Sequence, residues 1–300
     1  MSIARLIADP ATLETRLEQL HAALAEKQIA VEVIRGRDGT VSLSIRGAKA
    51  EMLDSAAHGT FLCEVLAAAF PADDWIVGNE GLARPSLVVS DMDSTMIGQE
   101  CIDELAHYAG IKDQIAAITE RAMQGEIDFE GALRERVALL GGLDESAITR
   151  CLEERIRLNP GACELIQTLK GQGARTVLVT GGFHHFADRV AEQIGFDRVV
   201  GNRLTVKGGK LTGDLDGPVS DANTKASVLR EEMAALGAGA TSLALGDGAN
   251  DIPMLQAATY GIAYMAKPIA KAAADGRIES GDLANVLNLL GIARGEFSDD

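Results

Sequence analysis

A short apolar run that ends in two carboxylates constrains the fold of this chain more than any other feature. Residues 86–90 (SLVVS) are followed at once by Asp91, and Asp93 comes two residues later. Such a run predicts a buried parallel strand, and open α/β sheets bind ligands at the carboxyl ends of their strands. A carboxylate placed there is able to attack phosphorus. The run therefore predicts an α/β fold in which Asp91 is a nucleophile and Asp93 transfers a proton. A turn or a helix cap is the alternative explanation of these residue types.

Composition and charge exclude several classes of protein. The 300 residues, 47% of them hydrophobic, predict two or three globular units with a substantial core. The net charge of −16 disfavours nucleic acid and anionic membranes as partners. No apolar run approaches the roughly 20 residues that span a bilayer, and no secretion signal is recognisable, so the expected compartment is the cytoplasm. The cysteines are widely spaced and are expected to be core thiols: Cys63, Cys101, Cys151 and Cys163.

The first 80 residues predict a module of their own. Alternation and turn signals indicate the order β-α-β-β-α-β, with a hairpin at Asp38-Gly39 and a second helix that carries Leu53. This order is the ferredoxin-like arrangement, similar in outline to the ACT-like domains. The module is expected to close its own sheet and to be removable at the linker 78–85 without loss of chemistry. Such modules bind small ligands or dimerise, so a regulatory site and a homodimer both stay open.

From residue 85 to residue 300 strands alternate with helices, which predicts a doubly wound parallel sheet. A purely helical stretch, about 99–155, interrupts this alternation between two predicted strands. We expect it to be an insertion that covers the active edge of the sheet as a lid.

Two further motifs provide groups that bind phosphate. Thr180-Gly181-Gly182 follows the predicted strand 176–179 and is expected to end it and open a helix. A hydroxyl and N–H groups at such a helix start bind phosphate oxygens, although an ordinary turn has the same residues. Lys225 lies near the start of its own helix and is a candidate for the fixed positive charge, although a surface lysine is the commoner outcome.

The acidic loop Gly246-Asp247-Gly248-Ala249-Asn250-Asp251 directly follows the apolar run 242–245. Two glycines around an acid allow a tight turn that directs carboxylates to the edge of the sheet. Mg²⁺ prefers oxygen ligands and commonly takes only one or two protein carboxylates. Asp91, the main-chain carbonyl of Asp93, and Asp247 suit such a site. A calcium-type or purely structural loop is the alternative.

Together these motifs resemble those of the haloacid dehalogenase superfamily of phosphotransferases: Asp91-x-Asp93-Ser94-Thr95, Thr180-Gly181-Gly182, Lys225 and the loop 246–251. The resemblance covers about residues 86 to 290, and within the superfamily it points to the phosphoserine phosphatases. It implies a haloacid dehalogenase-like core with a helical cap, Mg²⁺ as cofactor, and phosphate binding by Thr180, Gly181, Gly182, Lys225 and Asn250.

The same resemblance assigns residues that would recognise the rest of the substrate. Arg136 would pair with a carboxylate, Glu100 would hold an ammonium group, and Phe129 with Met123 would close the pocket. One position departs from the family pattern. Thr180 stands where Ser is usual, which keeps the hydroxyl but adds a methyl group.

The implied activity is Mg²⁺-dependent hydrolysis of O-phosphoserine to serine and phosphate through an aspartyl-phosphate, the last step of serine biosynthesis. A small-molecule substrate is then the expected partner. A phosphotransferase, or a phosphatase for another small phosphorylated metabolite, is the nearer alternative. A non-catalytic sensor that binds an amino acid through residues 1–80 is the more distant one, and the intact acidic pair and loop argue against it.

Overall fold

The computed structural model describes residues 2–26, 29–36, 40–46, 55–78 and 82–298. Within these ranges eleven strands form one mixed sheet. The central strands are mutually parallel, and apolar clusters lie on both of their faces. One cluster includes Val88, and the other includes Leu87 and Val89. Successive side chains of a strand point to opposite faces, so the apolar run 87–89 contributes side chains to the cores on both faces of the sheet.

The first module has its elements in the predicted order. They are β1 (Ser2–Ile7), α1 (Pro10–Glu26), β2 (Ala30–Arg35), β3 (Thr40–Arg46), α2 (Ser55–Ala69) and β4 (Asp74–Gly78). Asp9 starts α1 as predicted, because its side chain accepts a hydrogen bond from the Ala11 N–H at 2.9 Å. The expected turn at Asp38-Gly39, Leu53 and linker residues 79–81 lie outside the described residues.

The remaining strands form the α/β core. They are β5 (Leu87–Ser90), β6 (Arg175–Phe183), β7 (Arg198–Lys207), β8 (Lys210–Asp216), β9 (Ser242–Gly246), β10 (Tyr260–Tyr264) and β11 (Gly276–Ile278). Their spatial order is β11-β10-β9-β5-β6-β7-β8, with β8 antiparallel to β7. The connecting helices are α7 (Ala162–Gly171), α8 (His184–Ile194), α9 (Ala222–Leu236), α10 (Ile252–Ala257), α11 (Pro268–Ala273) and α12 (Asn285–Leu290).

Four helices lie between β5 and α7. They are α3 (Cys101–Ala109), α4 (Lys112–Met123), α5 (Phe129–Ala138) and α6 (Ser146–Glu154), and together they form what we call the helical insertion. The two chain segments that connect it to the sheet pair with each other through an antiparallel bridge between Ile97 and Leu158. The Asn159 side chain also donates to the Thr95 carbonyl at 2.8 Å. The insertion is therefore joined to the core through these two paired segments and, in addition, through β8, because a second antiparallel bridge links Asp144 to Lys210.

The first module does not close its own sheet, and that expectation is wrong. Strand β4 pairs with β1 on one side and with β11 on the other, where Trp75 lies opposite Arg277 and Ile76 opposite Gly276. Both edges of β4 therefore have partners, as a fully buried strand requires, because unpaired backbone groups are costly away from water. The first module and the core consequently share one sheet.

None of the four cysteines, all within the described ranges, forms a disulfide. Cys101 and Cys151 are buried in the core as expected, whereas Cys63 and Cys163 are only partly buried. Among the helices of the described ranges, none is long and apolar enough to cross a membrane.

Candidate active site

The site lies where three neighbouring parallel strands end. Strand β5 pairs with β9 on one side and β6 on the other. Asp91 follows β5, Asp247 follows β9, and Thr180 lies near the end of β6. Because parallel strands bring their carboxyl ends to one edge, motifs far apart in sequence meet here as predicted.

A buried lysine joins two buried carboxylates at the centre of the site. The Lys225 ammonium lies 2.7 Å from Asp91 Oδ1 and 2.7 Å from Asp251 Oδ1. Only 1% of Lys225, 3% of Asp91 and 0% of Asp251 is exposed. The Asp221 side chain caps α9 by accepting from the Thr224 N–H at 2.8 Å, which fixes the turn that carries Lys225. Lys225 is therefore a buried charge partner rather than a surface lysine.

Negative charge exceeds positive charge in this cluster. One carboxylate oxygen from each of Asp91, Asp247 and Asp251 lies within 4.8 Å of the others, and Lys225 places one ammonium group among them. Burial and the neighbouring Asp251 raise the pKa of Asp91, against the effect of Lys225. Burial lowers the pKa of Lys225, but the two carboxylates outweigh it and raise that pKa above its usual value. A divalent cation would offset this excess of negative charge, and these oxygens are of the type that Mg²⁺ binds.

Asp251 was part of the predicted acidic loop, but it received no role in the sequence analysis. Its Oδ2 accepts hydrogen bonds from the N–H groups of Asp247 at 3.1 Å and Gly248 at 3.0 Å. Its Oδ1 meets Lys225, so both oxygens are already used within the protein. Asp251 therefore shapes the loop and orients Asp247. The clue available in the sequence was its position four residues after Asp247, at the start of a helical turn.

Asp93 and Asp247 are carboxyls with raised pKa values. Burial, helped by the charge of Glu100, raises the pKa of Asp93 to about 7, although a hydrogen bond from Cys101 opposes this. The Cys101 N–H donates to Asp93 Oδ1 at 3.1 Å, so the start of α3 orients this carboxyl. Burial and then Asp251 raise the pKa of Asp247 to about 6. A carboxyl with a pKa near neutrality is suited to donate and accept protons in a reaction.

The Thr180-Gly181-Gly182 segment lies inside β6, which continues to Phe183 instead of ending at the threonine. The pairing of β6 with β7 shifts there: Val179 pairs with Val200, and Phe183 pairs with Asn202. Three residues of β6 therefore stand opposite the single residue 201, which is a bulge. A Cβ on Gly182 would lie 2.6 Å from Asp93 Oδ2, so the absence of a side chain brings this backbone against the acid.

The methyl group of Thr180 has a specific neighbour. A Cβ on Gly201 would lie 3.0 Å from Thr180 Cγ2, so glycine at this position leaves room for the methyl group. The Thr180 hydroxyl accepts a hydrogen bond from the Gly182 N–H at 2.8 Å. The departure from serine is therefore accommodated without displacing the hydroxyl.

The helical insertion brings some of its predicted residues to this site. A Cβ on Gly181 would lie 3.1 Å from the Phe129 ring, which is 39% exposed and lies over that glycine. Glu100 precedes α3 and accepts a hydrogen bond from the Ser94 hydroxyl at 2.8 Å. Arg136 is half-buried on α5, and burial lowers its pKa against the opposing charges of Asp103 and Glu100.

Two other predicted residues lie on the acidic loop and at the end of α4. Asn250 is half-buried, and its side-chain oxygen lies 2.6 Å from where a Cβ on Gly248 would be, so it folds over the turn of the acidic loop. Met123 is the last residue of α4, but its side chain lies outside the described residues.

The fold and site together define a class of α/β protein with a buried carboxylate, paired with a lysine, directly after the first core strand. The family model described as haloacid dehalogenase-like hydrolase matches residues 88–256, more than half of the sequence. The chain belongs to the haloacid dehalogenase-like hydrolase family.

Known proteins resemble this chain in sequence and in structure. It is 44% identical over 222 residues to the phosphoserine phosphatase of Albidiferax ferrireducens, an alignment of 70% of this chain and 94% of the relative. A solved haloacid dehalogenase family hydrolase from Salmonella enterica serovar Typhi superposes with a TM-score of 0.80 at 28% identity, over 97% of this chain and 99% of that one. A phospho-aspartyl intermediate analogue of phosphoserine phosphatase superposes with a TM-score of 0.62 at 40% identity, over 68% and 98% of the two chains.

Proposed function

We propose that this protein is a Mg²⁺-dependent phosphatase that hydrolyses O-phosphoserine to serine and phosphate. The observation that carries the proposal is the buried Asp91–Lys225 pair beside the acidic loop, at the edge of the sheet where ligands bind. Relatives that are named phosphoserine phosphatases support the choice of substrate.

In the first half-reaction Asp91 is the nucleophile. An oxygen of its carboxylate forms a bond to phosphorus while the bond from phosphorus to the serine oxygen breaks. Lys225, held 2.7 Å from Asp91, lies where it neutralises charge on the phosphoryl oxygens. The Thr180 hydroxyl, which accepts from the Gly182 N–H, would donate its own proton to those oxygens.

Asp93 transfers a proton in both half-reactions. With a pKa of about 7 it is partly protonated near neutral pH, and it donates its proton to the departing serine oxygen. Its carboxylate then removes a proton from the water that attacks the aspartyl-phosphate, which releases phosphate and restores Asp91. Gly182 brings the β6 backbone against Asp93, so the acid and the phosphate-binding segment are adjacent.

The residues at the site fit Mg²⁺. Asp91, Asp247 and the main-chain carbonyl of Asp93 would hold it, and the bound ion would neutralise charge on the phosphoryl group. Asp251 would orient this set rather than bind the ion, because Lys225 and two backbone N–H groups already occupy its oxygens.

The helical insertion would act as a lid that recognises the amino-acid end of the substrate. Arg136 would pair with the substrate carboxylate, Glu100 would hold its ammonium group, and Phe129 with Met123 would close the pocket. The position of the Phe129 ring over Gly181 supports this assignment, because it places the insertion against the phosphate-binding segment. Closure would exclude water while the acyl-phosphate forms.

We assign residues 1–80 to a ferredoxin-like, ACT-like domain and residues 85–300 to the phosphatase core, with the cap at about 99–155. The antiparallel order β2-β3-β1-β4 supports the first assignment. This domain would serve either as a site for a regulatory ligand or as the contact between two subunits.

Phosphate release from phosphoserine, compared with a panel of other small phosphomonoesters, tests the function. We expect preferential turnover of phosphoserine that a chelator abolishes and added Mg²⁺ restores. Preferential turnover of another ester would replace the substrate, and faster transfer to an alcohol acceptor than to water would indicate a phosphotransferase. Tight amino-acid binding without turnover of any ester would indicate a sensor.

A further inference from the structure

We propose that Asn202, on β7, is a positioning residue that ties the phosphate-binding bulge of β6 to the start of α9. This inference rests on the proposed role of Thr180-Gly181-Gly182 in phosphate binding, and it extends that role to a residue that the sequence motifs do not include.

The side chain of Asn202 uses both ends of its amide. Its Nδ2 donates to the Gly181 carbonyl at 2.8 Å, and its Oδ1 accepts from the Ser220 N–H at 2.8 Å. Asn202 is only 2% exposed, so neither bond competes with bulk water. A buried amide bridging two backbone segments in this way is stable only while both of its bonds are made.

The bulge explains why Gly181 needs such a partner. Between the pairs Val179–Val200 and Phe183–Asn202, β6 has three residues opposite one residue of β7. Backbone groups at a bulge lose their regular partners in the ladder. The Asn202 amide donates a hydrogen bond to the Gly181 carbonyl in this bulge. This bond fixes the orientation of the peptide between Gly181 and Gly182.

The other end of the bridge fixes the segment that carries Lys225. Ser220 directly precedes Asp221, which caps α9, and Lys225 lies in the first turns of that helix. The Lys225 ammonium in turn contacts Asp91 at 2.7 Å. Asn202 therefore sets the distance between two elements that would hold the same phosphoryl group, the β6 bulge and the lysine.

The substitution Asn202→Asp is the matched test, because the two side chains have the same shape. When the introduced carboxyl is ionised, it still accepts from Ser220, but it places a negative oxygen against the Gly181 carbonyl. When the introduced carboxyl is protonated, it again donates to one group and accepts from the other. Asn288→Asp is the control, since Asn288 is a buried asparagine on α12, outside the site and 6% exposed.

The experiment measures inhibition by inorganic phosphate and kcat/KM for several phosphomonoesters, each as a ratio to wild type at the same pH. For Asn202→Asp above neutral pH we expect the inhibition constant of phosphate to rise and kcat/KM to fall by roughly 10- to 100-fold, because a misplacement of about 1 Å can cost on the order of 100-fold. The loss should be the same for every ester, and the ratios should recover as the pH falls and the introduced carboxyl becomes protonated. Asn288→Asp should stay within about twofold of wild type.

Several results would overturn the inference. They are phosphate inhibition within twofold of wild type in a folded Asn202→Asp protein, a loss that does not recover at low pH, or an equal loss in Asn288→Asp. A wild-type protein that hydrolyses no phosphomonoester and is not inhibited by phosphate would overturn the proposed function along with it. A wild-type protein that prefers another ester would change the substrate but leave the effect of Asn202→Asp as predicted.

Discussion

Replacement of Asp74 by asparagine should destabilise the whole chain, because Asp74 joins the first module to the core. It lies at the start of β4 and is 2% exposed. Its Oδ1 accepts from the N–H groups of Glu279 at 2.7 Å and Ser280 at 2.9 Å. Its Oδ2 accepts from the Ser280 hydroxyl at 2.6 Å and from Asn285 Nδ2 at 2.8 Å. Four hydrogen bonds from the core therefore converge on one buried carboxylate.

The magnitude follows from the number and kind of these bonds. A hydrogen bond to a charged group contributes about 1.5–3 kcal/mol, against about 0.5–1.5 kcal/mol for a neutral one. The introduced amide would keep its bonds to the two backbone N–H groups in the weaker neutral form. Its own NH₂ would face the Asn285 NH₂, so that bond is lost. Since an amide is also cheaper to bury than a carboxylate, we expect a net loss of about 2–4 kcal/mol in the free energy of unfolding.

Urea unfolding provides the assay, with two signals. Trp75 is the only tryptophan of the chain, and its ring lies at the β4–β11 junction, 4.7 Å from the Arg277 guanidinium carbon. Its fluorescence reports the junction, and far-UV circular dichroism reports the whole fold. In Asp74→Asn both transitions should move together to lower urea. A loss of about 3 kcal/mol also corresponds to about 5 °C in Tm for a chain of this size, at roughly 2.1 cal/mol/K of unfolding entropy per residue.

A second substitution tests the geometry of the junction. In the double variant Asp74→Asn with Asn285→Asp, donor and acceptor are exchanged, so the bond between residues 74 and 285 can form again. We expect part of the lost stability to return, and Asn285→Asp alone to be destabilising because it places two carboxylates together. The reasoning is refuted if Asp74→Asn loses less than about 1 kcal/mol, well under the range expected for charged hydrogen bonds, or if the fluorescence transition separates from the circular dichroism transition in the wild type. Separate transitions would mean that residues 1–80 are removable, as the sequence alone suggests.

Four further predictions concern the site. Asp91→Asn should abolish steady-state phosphate release while leaving the circular dichroism unchanged, because an amide is not a nucleophile; substantial turnover would remove Asp91 from the mechanism. The kcat/KM for phosphoserine should fall as the pH rises through about 7, because Asp93, whose pKa is raised to about 7, must be protonated to donate; a flat profile between about pH 6 and 8 would contradict this. Arg136→Ala should lower kcat/KM for phosphoserine by roughly 30-fold or more, the effect of about 2–5 kcal/mol for a charge that loses its partner, and an equal loss on an aryl phosphate would refute its role. Gly201→Ala should impair turnover because its Cβ would lie 3.0 Å from Thr180 Cγ2; adding Thr180→Ser should restore it, and no restoration would show that the methyl group is not the obstacle.

The residues of the site that follow strands were predictable from the sequence. Asp91 comes directly after a short apolar run, and Asp247 follows another after one glycine; parallel strands align their carboxyl ends whatever lies between them. The position of Lys225 was predictable only as far as the start of a helix. The order of elements in the first module was also readable, since alternation and turn residues are local signals.

Tertiary structure decided which groups contact each other across long stretches of chain. Asp251 meets Lys225 at 2.7 Å because the acidic loop and the start of α9 bring together residues 26 positions apart, and charge pairing of this kind has no local signal. The bulge in β6 and its Asn202 bridge arise from a shift in pairing that only the neighbouring strand defines. The sequence also showed β4 as a strand but not its second partner, because alternation and turn residues report which segments are strands and not which edges pair. Strand pairing depends on which strand edges are still unpaired when the other elements have come together. In this protein β11 is the edge strand of the core, and β4 pairs with it.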